Sequence, residues 1–287
     1  KGDFDIIGIS RMQSSLKNKF RNNNFSEISY DIFKEKMDEK FNFKTKTTIY
    51  ICAHNIKTDF SNKRKSLELI YNSNKIFYSN FIENIKLLKP EKLIFLSSGG
   101  SLYDNSNNLK PSTEDSILNP LSEYGLSKFI LEELLINLSR EYQIPLAICR
   151  ISTIYGNSYS NTKFGFINYL KVCSLNKNIP IIYGKDTYRD YLHIKDLVEI
   201  LIKIGNKDLL SNKYNISFGE SYSCFQIYKK MKNNLMRYGL ELKDFLDKGP
   251  RVGENSKVFI SSDKLKNEIK WIPKINIDLG IEKFINS

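Results

Sequence analysis

Apolar positions along this chain fall into two recurring patterns, short continuous runs and stripes spaced three or four residues apart. Phe4-Asp5-Ile6-Ile7-Gly8-Ile9-Ser10 is a strand-like run ending in a polar loop, and Ser29-Tyr30-Asp31-Ile32 reads as a second, weaker strand. Thr48-Ile49-Tyr50-Ile51-Cys52-Ala53 is β-branched and aromatic, the composition of a buried strand. Between Leu67 and Leu88 the apolar residues Leu67, Ile70, Ile76, Phe77, Phe81, Ile85 and Leu88 predict a helix, which Pro90 stops. Lys92 to Ser98 is the next strand. A helix follows from about Tyr124 to Arg140, with Phe129, Leu131, Leu134, Leu135 and Leu138 apolar, and then a strand from Leu146 to Ile151.

Strands alternating with helices of this length predict an α/β fold, a parallel sheet covered on both faces. Such sheets bind ligands at the carboxyl ends of their strands. Past Tyr155-Gly156 the alternation loosens. Helices at Phe166–Leu175, Lys195–Ile204 and Phe225–Leu235, with short strands at Ile181–Tyr183 and Tyr214–Ser217, predict a smaller mixed lobe capping the binding edge.

Composition narrows this picture. Hydrophobic residues make up 41% of the 287 and aromatics 13%, enough for a buried core. No apolar run approaches the ~18 residues of a membrane span, so a soluble chain is expected. Cys52, Cys149, Cys173 and Cys224 are widely separated, and with His54 and His193 they form no metal-ligand spacing. They read as small core residues in a reduced, cytoplasmic compartment. The net charge of +12 is spread along the chain among asparagine and isoleucine, which speaks for a diphosphate-bearing substrate as readily as for nucleic acid.

Candidate chemistry centres on Tyr124-Gly125-Leu126-Ser127-Lys128, where Tyr and Lys four apart share a helix face. The spacing alone is weak, because Tyr-x-x-x-Lys recurs at Tyr30, Tyr71, Tyr159, Tyr191 and Tyr228 in a chain with 17 tyrosines. Context distinguishes Tyr124. It opens a helix that follows a strand ending in Ser97-Ser98, so a serine hydroxyl reaches the sheet edge beside it. Lys128 is expected to favour the phenolate and lower the tyrosine from its ordinary ~10. A tyrosine so tuned exchanges a proton with a substrate hydroxyl.

The run Phe95-Leu96-Ser97-Ser98-Gly99-Gly100-Ser101-Leu102-Tyr103, then Glu114-Asp115 and Asn119-Pro120-Leu121-Ser122-Glu123-Tyr124-Gly125-Leu126-Ser127-Lys128, resembles the extended short-chain dehydrogenases, and within them the UDP-glucose 4-epimerase-like group. Cys149-Arg150-Ile151-Ser152-Thr153-Ile154-Tyr155-Gly156, Tyr188-Arg189-Asp190-Tyr191-Leu192-His193-Ile194-Lys195-Asp196, Gly249-Pro250-Arg251-Val252-Gly253-Glu254 and Lys270-Trp271-Ile272-Pro273 match in order. The resemblance implies a Rossmann-type doubly wound parallel sheet over residues 1–156. A mainly substrate-binding lobe would follow over 157–287, with the segment at about 186–217 returning to the sheet. It implies catalysis by Tyr124, Lys128 and Ser98 on bound NAD or NADP. Ser10, Arg11, Asp31, Ile32 and Ala53, with Tyr124 and Lys128, would face the cofactor. Ser98, Thr153, Ile181, Tyr183, Arg189 and Arg251 would face a nucleoside-diphosphate sugar, the arginines as forks for phosphate oxygens. A homodimer through the 67–88 and 124–140 helices is implied as well. His54 and His193 read as structural.

Departures from the family pattern shape the expectation. The family's first strand and Gly-x-x-Gly-x-x-Gly loop, about thirty residues, have no counterpart here, and Ile6 to Ser10 aligns with the second strand. The chain opens Lys1-Gly2-Asp3, without methionine or a signal peptide, and reads as a fragment lacking its beginning. Ser10-Arg11 stands where NAD-preferring members carry an acid, a modest tilt toward NADP. The usual catalytic hydroxyl position, four before Tyr103, is Gly99, with Ser98 its neighbour. Gly99 and Gly100 replace the acidic residues of dehydratases and decarboxylases. Thr153 replaces an asparagine that touches the diphosphate. The leading expectation is a nucleotide-sugar 4-epimerase. The alternatives are an NADPH-dependent nucleotide-sugar reductase and a non-catalytic sugar-nucleotide-binding homologue.

Overall fold

The computed structural model describes residues 6–10, 25–29, 47–52, 67–104, 110–156, 165–208, 212–251 and 256–286. Two parallel strands, β1 (Ile6–Ser10) and β2 (Phe25–Ser29), pair in register from Ile6↔Phe25 to Ser10↔Ser29. The weak strand expected from Ser29 to Ile32 is therefore displaced towards the amino terminus. The ladder engages Phe25 to Ser29, which carries its own aromatic and β-branched residues in Phe25 and Ile28, and Tyr30 to Ile32 lie outside the described residues.

The main sheet is all parallel. It runs in the order β3 (Thr48–Ile51), β4 (Lys92–Ser98), β5 (Leu146–Ile151) and β9 (Lys213–Ile216). β5 is buried at every residue, as a central parallel strand must be when helices cover both faces. Leu93, Phe95, Leu146 and Ile148 pack against α1 (Leu67–Leu88) and α3 (Glu123–Tyr142). On the opposite face Ile94, Ala147, Cys149 and Ile151 meet Leu197, Ile200 and Ile204 of α5 (Ile194–Gly205), together with Leu265 of α7 (Asp263–Glu268) and Trp271. Period-two alternation thus sends successive residues of one strand into two cores. The expectation that all four thiols are core residues fails at Cys52. It is exposed because it lies just past β3, where the strand runs out of the layer.

The smaller lobe has its own core around α4 (Phe166–Leu175), α6 (Cys224–Arg237) and α8 (Ile277–Ile285), with Leu170, Ile227, Met231, Leu235 and Ile281 buried. Strands β6 (Thr153–Tyr155), β8 (Tyr188–His193) and β10 (Ser221–Ser223) form a second sheet, and β7 (Ile181–Ile182) pairs with β11 (Leu246–Asp247). The segment from Ser256 to Ser262 ties the two parts together. Val258 N donates to Tyr188 O at 3.0 Å, and Ser112 N donates to Phe259 O at 2.9 Å. Among the described residues no helix is long and apolar enough to cross a membrane.

Candidate active site

β4 ends in Ser97 and Ser98, and the chain turns at once into the one-turn helix α2 (Gly99–Leu102). Ser98 occupies the N-cap position but makes no side-chain cap bond, and its hydroxyl lies close enough to the Tyr124 phenol to pull its pKa down. Tyr124 arrives there because Ser122 caps α3, its Oγ accepting from Gly125 N at 3.1 Å. Gly125 permits the close approach. A Cβ at that position would run into the Ser101 carbonyl oxygen of α2.

Lys128 follows one turn later on the same face and is 3% exposed. Its Nζ donates to Leu96 O at 2.7 Å and lies 4.8 Å from the Phe95 ring centroid and 5.8 Å from that of Tyr124. Burial pushes the Lys128 ammonium down to about 8, against upward pulls from Cys52 and Glu132. Burial also pushes the Tyr124 phenol upward, and the Ser98 hydroxyl opposes it. The lowering expected from Lys128 together with a cationic nicotinamide is therefore not reached in the protein by itself. In the protein alone, desolvation of the phenolate outweighs every stabilising neighbour.

The absence of a side chain at Gly99 has a steric cause. A Cβ there would stand 2.6 Å from Ile260 Cδ1 and 3.3 Å from Arg150 O. Gly99→Ser, which restores a hydroxyl at the position usual in the family, is expected to lower stability by about 1–3 kcal/mol through overpacking. Thermal melts should show this loss. They should also show part of it regained when Ile260→Val removes the opposing methyl.

Beneath the trio lies a buried polar cluster to which sequence reasoning assigned no role. Ser97 Oγ donates to Glu132 Oε1 at 2.5 Å. Arg150 donates to the same carboxylate from Nε, at 3.2 Å to each oxygen, and from Nη2 at 2.8 Å. Its Nη1 reaches the Tyr103 hydroxyl at 3.1 Å and Glu114 O at 3.2 Å. Tyr103 in turn donates to Asn215 Oδ1 at 2.5 Å, and Asn215 N donates to Glu114 Oε1 at 2.7 Å. Burial alone would pull the Arg150 guanidinium down, but the hydrogen bonds and charge of Glu132 carry it upward overall. A signal was present in the sequence: Glu132 stands four residues after Lys128, and Arg150 lies in the middle of an apolar strand.

The remaining expected residues lie in the second sheet and its surroundings. Thr153 opens β6 opposite Tyr191. Arg189 pairs with Tyr222 across β8 and β10, and its Nη1 donates to Tyr188 O at 2.8 Å. Arg251 stacks on Tyr183 at 4.1 Å from the ring centroid, beside the strand that carries Ile181. Asp190 was also missed. It is fully buried and accepts from Phe218 N at 3.0 Å and Gly219 N at 2.8 Å, fixing the turn beyond β9. His193 caps α5, its Nδ1 accepting from Lys195 N at 3.2 Å, a structural role as expected. Ser10 ends β1, while Arg11, Asp31, Ile32, Ala53 and His54 lie outside the described residues.

A Rossmann-type α/β sheet with a serine, a tyrosine and a lysine gathered at its carboxyl edge defines a class of nucleotide-dependent enzymes. The chain belongs to the NAD-dependent epimerase/dehydratase family, whose model matches residues 1–217. It is 29% identical over 292 residues to a putative UDP-glucose 4-epimerase of Methanocaldococcus jannaschii, covering 100% of this chain and 91% of that protein. It is 28% identical over 273 residues to a dTDP-4-dehydro-6-deoxyglucose reductase of Escherichia coli, covering 92% and 83%. The crystal structure of the Thermus thermophilus UDP-glucose 4-epimerase in complex with NAD superposes with a TM-score of 0.80 at 19% identity, covering 98% of this chain and 89% of that one.

Proposed function

We propose that this protein is a nucleoside-diphosphate-sugar 4-epimerase in which Tyr124 is the acid and base. The observation that carries the reading is the gathering of Ser98, at the end of β4, with Tyr124 and a buried Lys128 of α3 at the carboxyl edge of the sheet. Tyr124 takes the proton of the sugar 4-hydroxyl, Ser98 holds the same oxygen, and Lys128 as ammonium stabilises the phenolate. The 4-keto sugar then turns over, and Tyr124 returns the proton to the 4-oxygen. A bound NAD would supply the hydride acceptor and then the hydride donor, to the other face of C4.

The nicotinamide end of such a cofactor fits the residues present. Lys128 Nζ makes one hydrogen bond among the described residues, to Leu96 O, so donors remain for ribose hydroxyls. Asp31, Ile32 and Ala53 are assigned to the adenosine side and the strand end, and Ser10-Arg11 keeps NADP as the finer reading. Arg189 and Arg251 would take the diphosphate, Thr153 and Ser98 the sugar side, and Ile181 with Tyr183 the base. Residues 1–156 would be the cofactor domain and 157–287 the substrate lobe, with 186–217 returning to the sheet. The α1 and α3 helices would pair two copies into a cytoplasmic homodimer.

Incubation with UDP-glucose, UDP-N-acetylglucosamine and their 4-epimers should interconvert one pair. No interconversion of any nucleotide sugar by protein with bound cofactor would sink the proposal. The relationship to the reductase favours one second reading, in which NADPH is consumed stoichiometrically with a 4-keto sugar. An epimerase consumes none. Because Lys128 must keep its proton and its midpoint is depressed to about 8, turnover should fall as the pH rises through that value. A pH–rate profile from about pH 6 to about pH 10 checks this.

A further inference from the structure

We propose that Glu132 is the positioning residue of this site, a single carboxylate that fixes the Ser97-Ser98 corner, faces the Lys128 ammonium and is locked in place by Arg150. The inference rests on the epimerase reading for its kinetic consequences and on the cluster itself for its electrostatic ones. Glu132 lies four residues after Lys128 and eight after Tyr124, so all three share one helix face. It is 0% exposed. Its Oε1 takes the Ser97 hydroxyl at 2.5 Å, and Ser97 is the residue through which β4 delivers Ser98 to Tyr124. A shift of this carboxylate therefore moves the serine corner.

The same charge acts on Lys128. The groups that face the ammonium are Cys52 from the end of β3, the Phe95 ring and Leu96 carbonyl of β4, and Tyr124 and Glu132 of its own helix. Glu132 and Cys52 are the two whose charge favours the protonated form. Cys52 is a poor source of charge: the residue is exposed, but its sulfur is desolvated, which pushes the thiol upward, and Lys128 only partly opposes that. Glu132 is left as the anion that keeps Lys128 protonated. Arg150, donating from β5 through Nε, shared between both oxygens, and through Nη2, holds that anion in one geometry. The carboxylate thus joins two requirements of the chemistry, the place of the hydroxyl and the proton on the lysine. Neither requires it to touch substrate or cofactor.

Two variants of the whole chain separate these roles. In E132Q the Lys128 titration, followed by the resonance of ¹³Cε-labelled lysine and assigned with K128R, should fall by about one pH unit. The alkaline limb of the pH–rate profile should move down with it. S97A leaves every charge in place. It should lower kcat roughly tenfold with KM for the nucleotide sugar and the alkaline limb unchanged. If E132Q does not fold, E132Q with R150Q strands neither partner of the Glu132–Arg150 pair and takes its place in both measurements. An unmoved Lys128 midpoint, or S97A with the parental kcat, would overturn the proposal. If the parent turns over no nucleotide sugar, the epimerase reading fails, while the lysine titration still decides whether Glu132 governs Lys128.

Discussion

Replacing Tyr124 by phenylalanine is expected to cut epimerisation by about 10²–10⁴-fold, the usual weight of a positioned acid-base group. The substitution removes one oxygen and little else. Lys128 keeps its bond to Leu96 O, α3 keeps its Ser122 cap, and the ring still occupies the volume beside α2. Ser98 loses its phenol neighbour but remains at the sheet edge. Calorimetric binding of the nucleotide sugar should therefore be near the parental value while kcat collapses, a loss confined to the transition state. A variant that retained a third of the parental kcat would remove Tyr124 from the chemistry.

Arg150→Leu is expected to be the most damaging single change to stability. Arg150 is 1% exposed, and its guanidinium compensates the fully buried Glu132 carboxylate. Removing one partner strands the other, at a cost of about 3–5 kcal/mol. For a chain of this size that corresponds to a Tm lower by roughly ten degrees, measurable by calorimetry. The loss has a second component, because Nη1 also satisfies Tyr103 and Glu114 O. Pairing Arg150→Leu with Glu132→Leu should recover much of the melting temperature, since an apolar pair carries no desolvation penalty. A single variant melting within a degree or two of the parent would show that the pair contributes nothing.

Periodicity located the elements that pack on one another most completely. The helix expected over Leu67 to Leu88 and the strands over Lys92 to Ser98 and Leu146 to Ile151 have those bounds in the structure, because each buries a face whose pattern is local. The short strand β8 went unread as a strand. Its Arg-Asp-Tyr run carries polar residues that are satisfied by distant partners, such as Phe218 N on Asp190, and no local pattern encodes those. The trio was read from context rather than from spacing, and the structure sets Ser98 at the end of β4 near Tyr124 on α3. The cluster around Glu132 was legible only as two isolated hints, the spacing of Glu132 from Lys128 and the arginine in an apolar strand. Its members span Ser97 to Asn215 and meet only when β5 and β9 are laid beside β4. The upward shift of Tyr124 in the protein alone was illegible for a related reason: burial is a property of the assembled fold, and a sequence shows the neighbours without their dryness.

The crossing segment from Ser256 to Ser262 bears on how the molecule is made. Tyr188 and Ser112 both bond to it, Gly99 and Tyr103 pack beneath it, and Asn215 reaches Tyr103 from the last strand of the main sheet. The three residues of the trio have all left the ribosome once Lys128 is out, yet the stretch from Lys128 to Ser262 must still emerge before their surroundings exist. At roughly 5–20 residues per second that wait is on the order of ten seconds. A nascent chain in that interval exposes the unclosed edge of β5 and an uncovered Tyr103. Products ending before this segment should be captured by chaperones rather than show weak turnover.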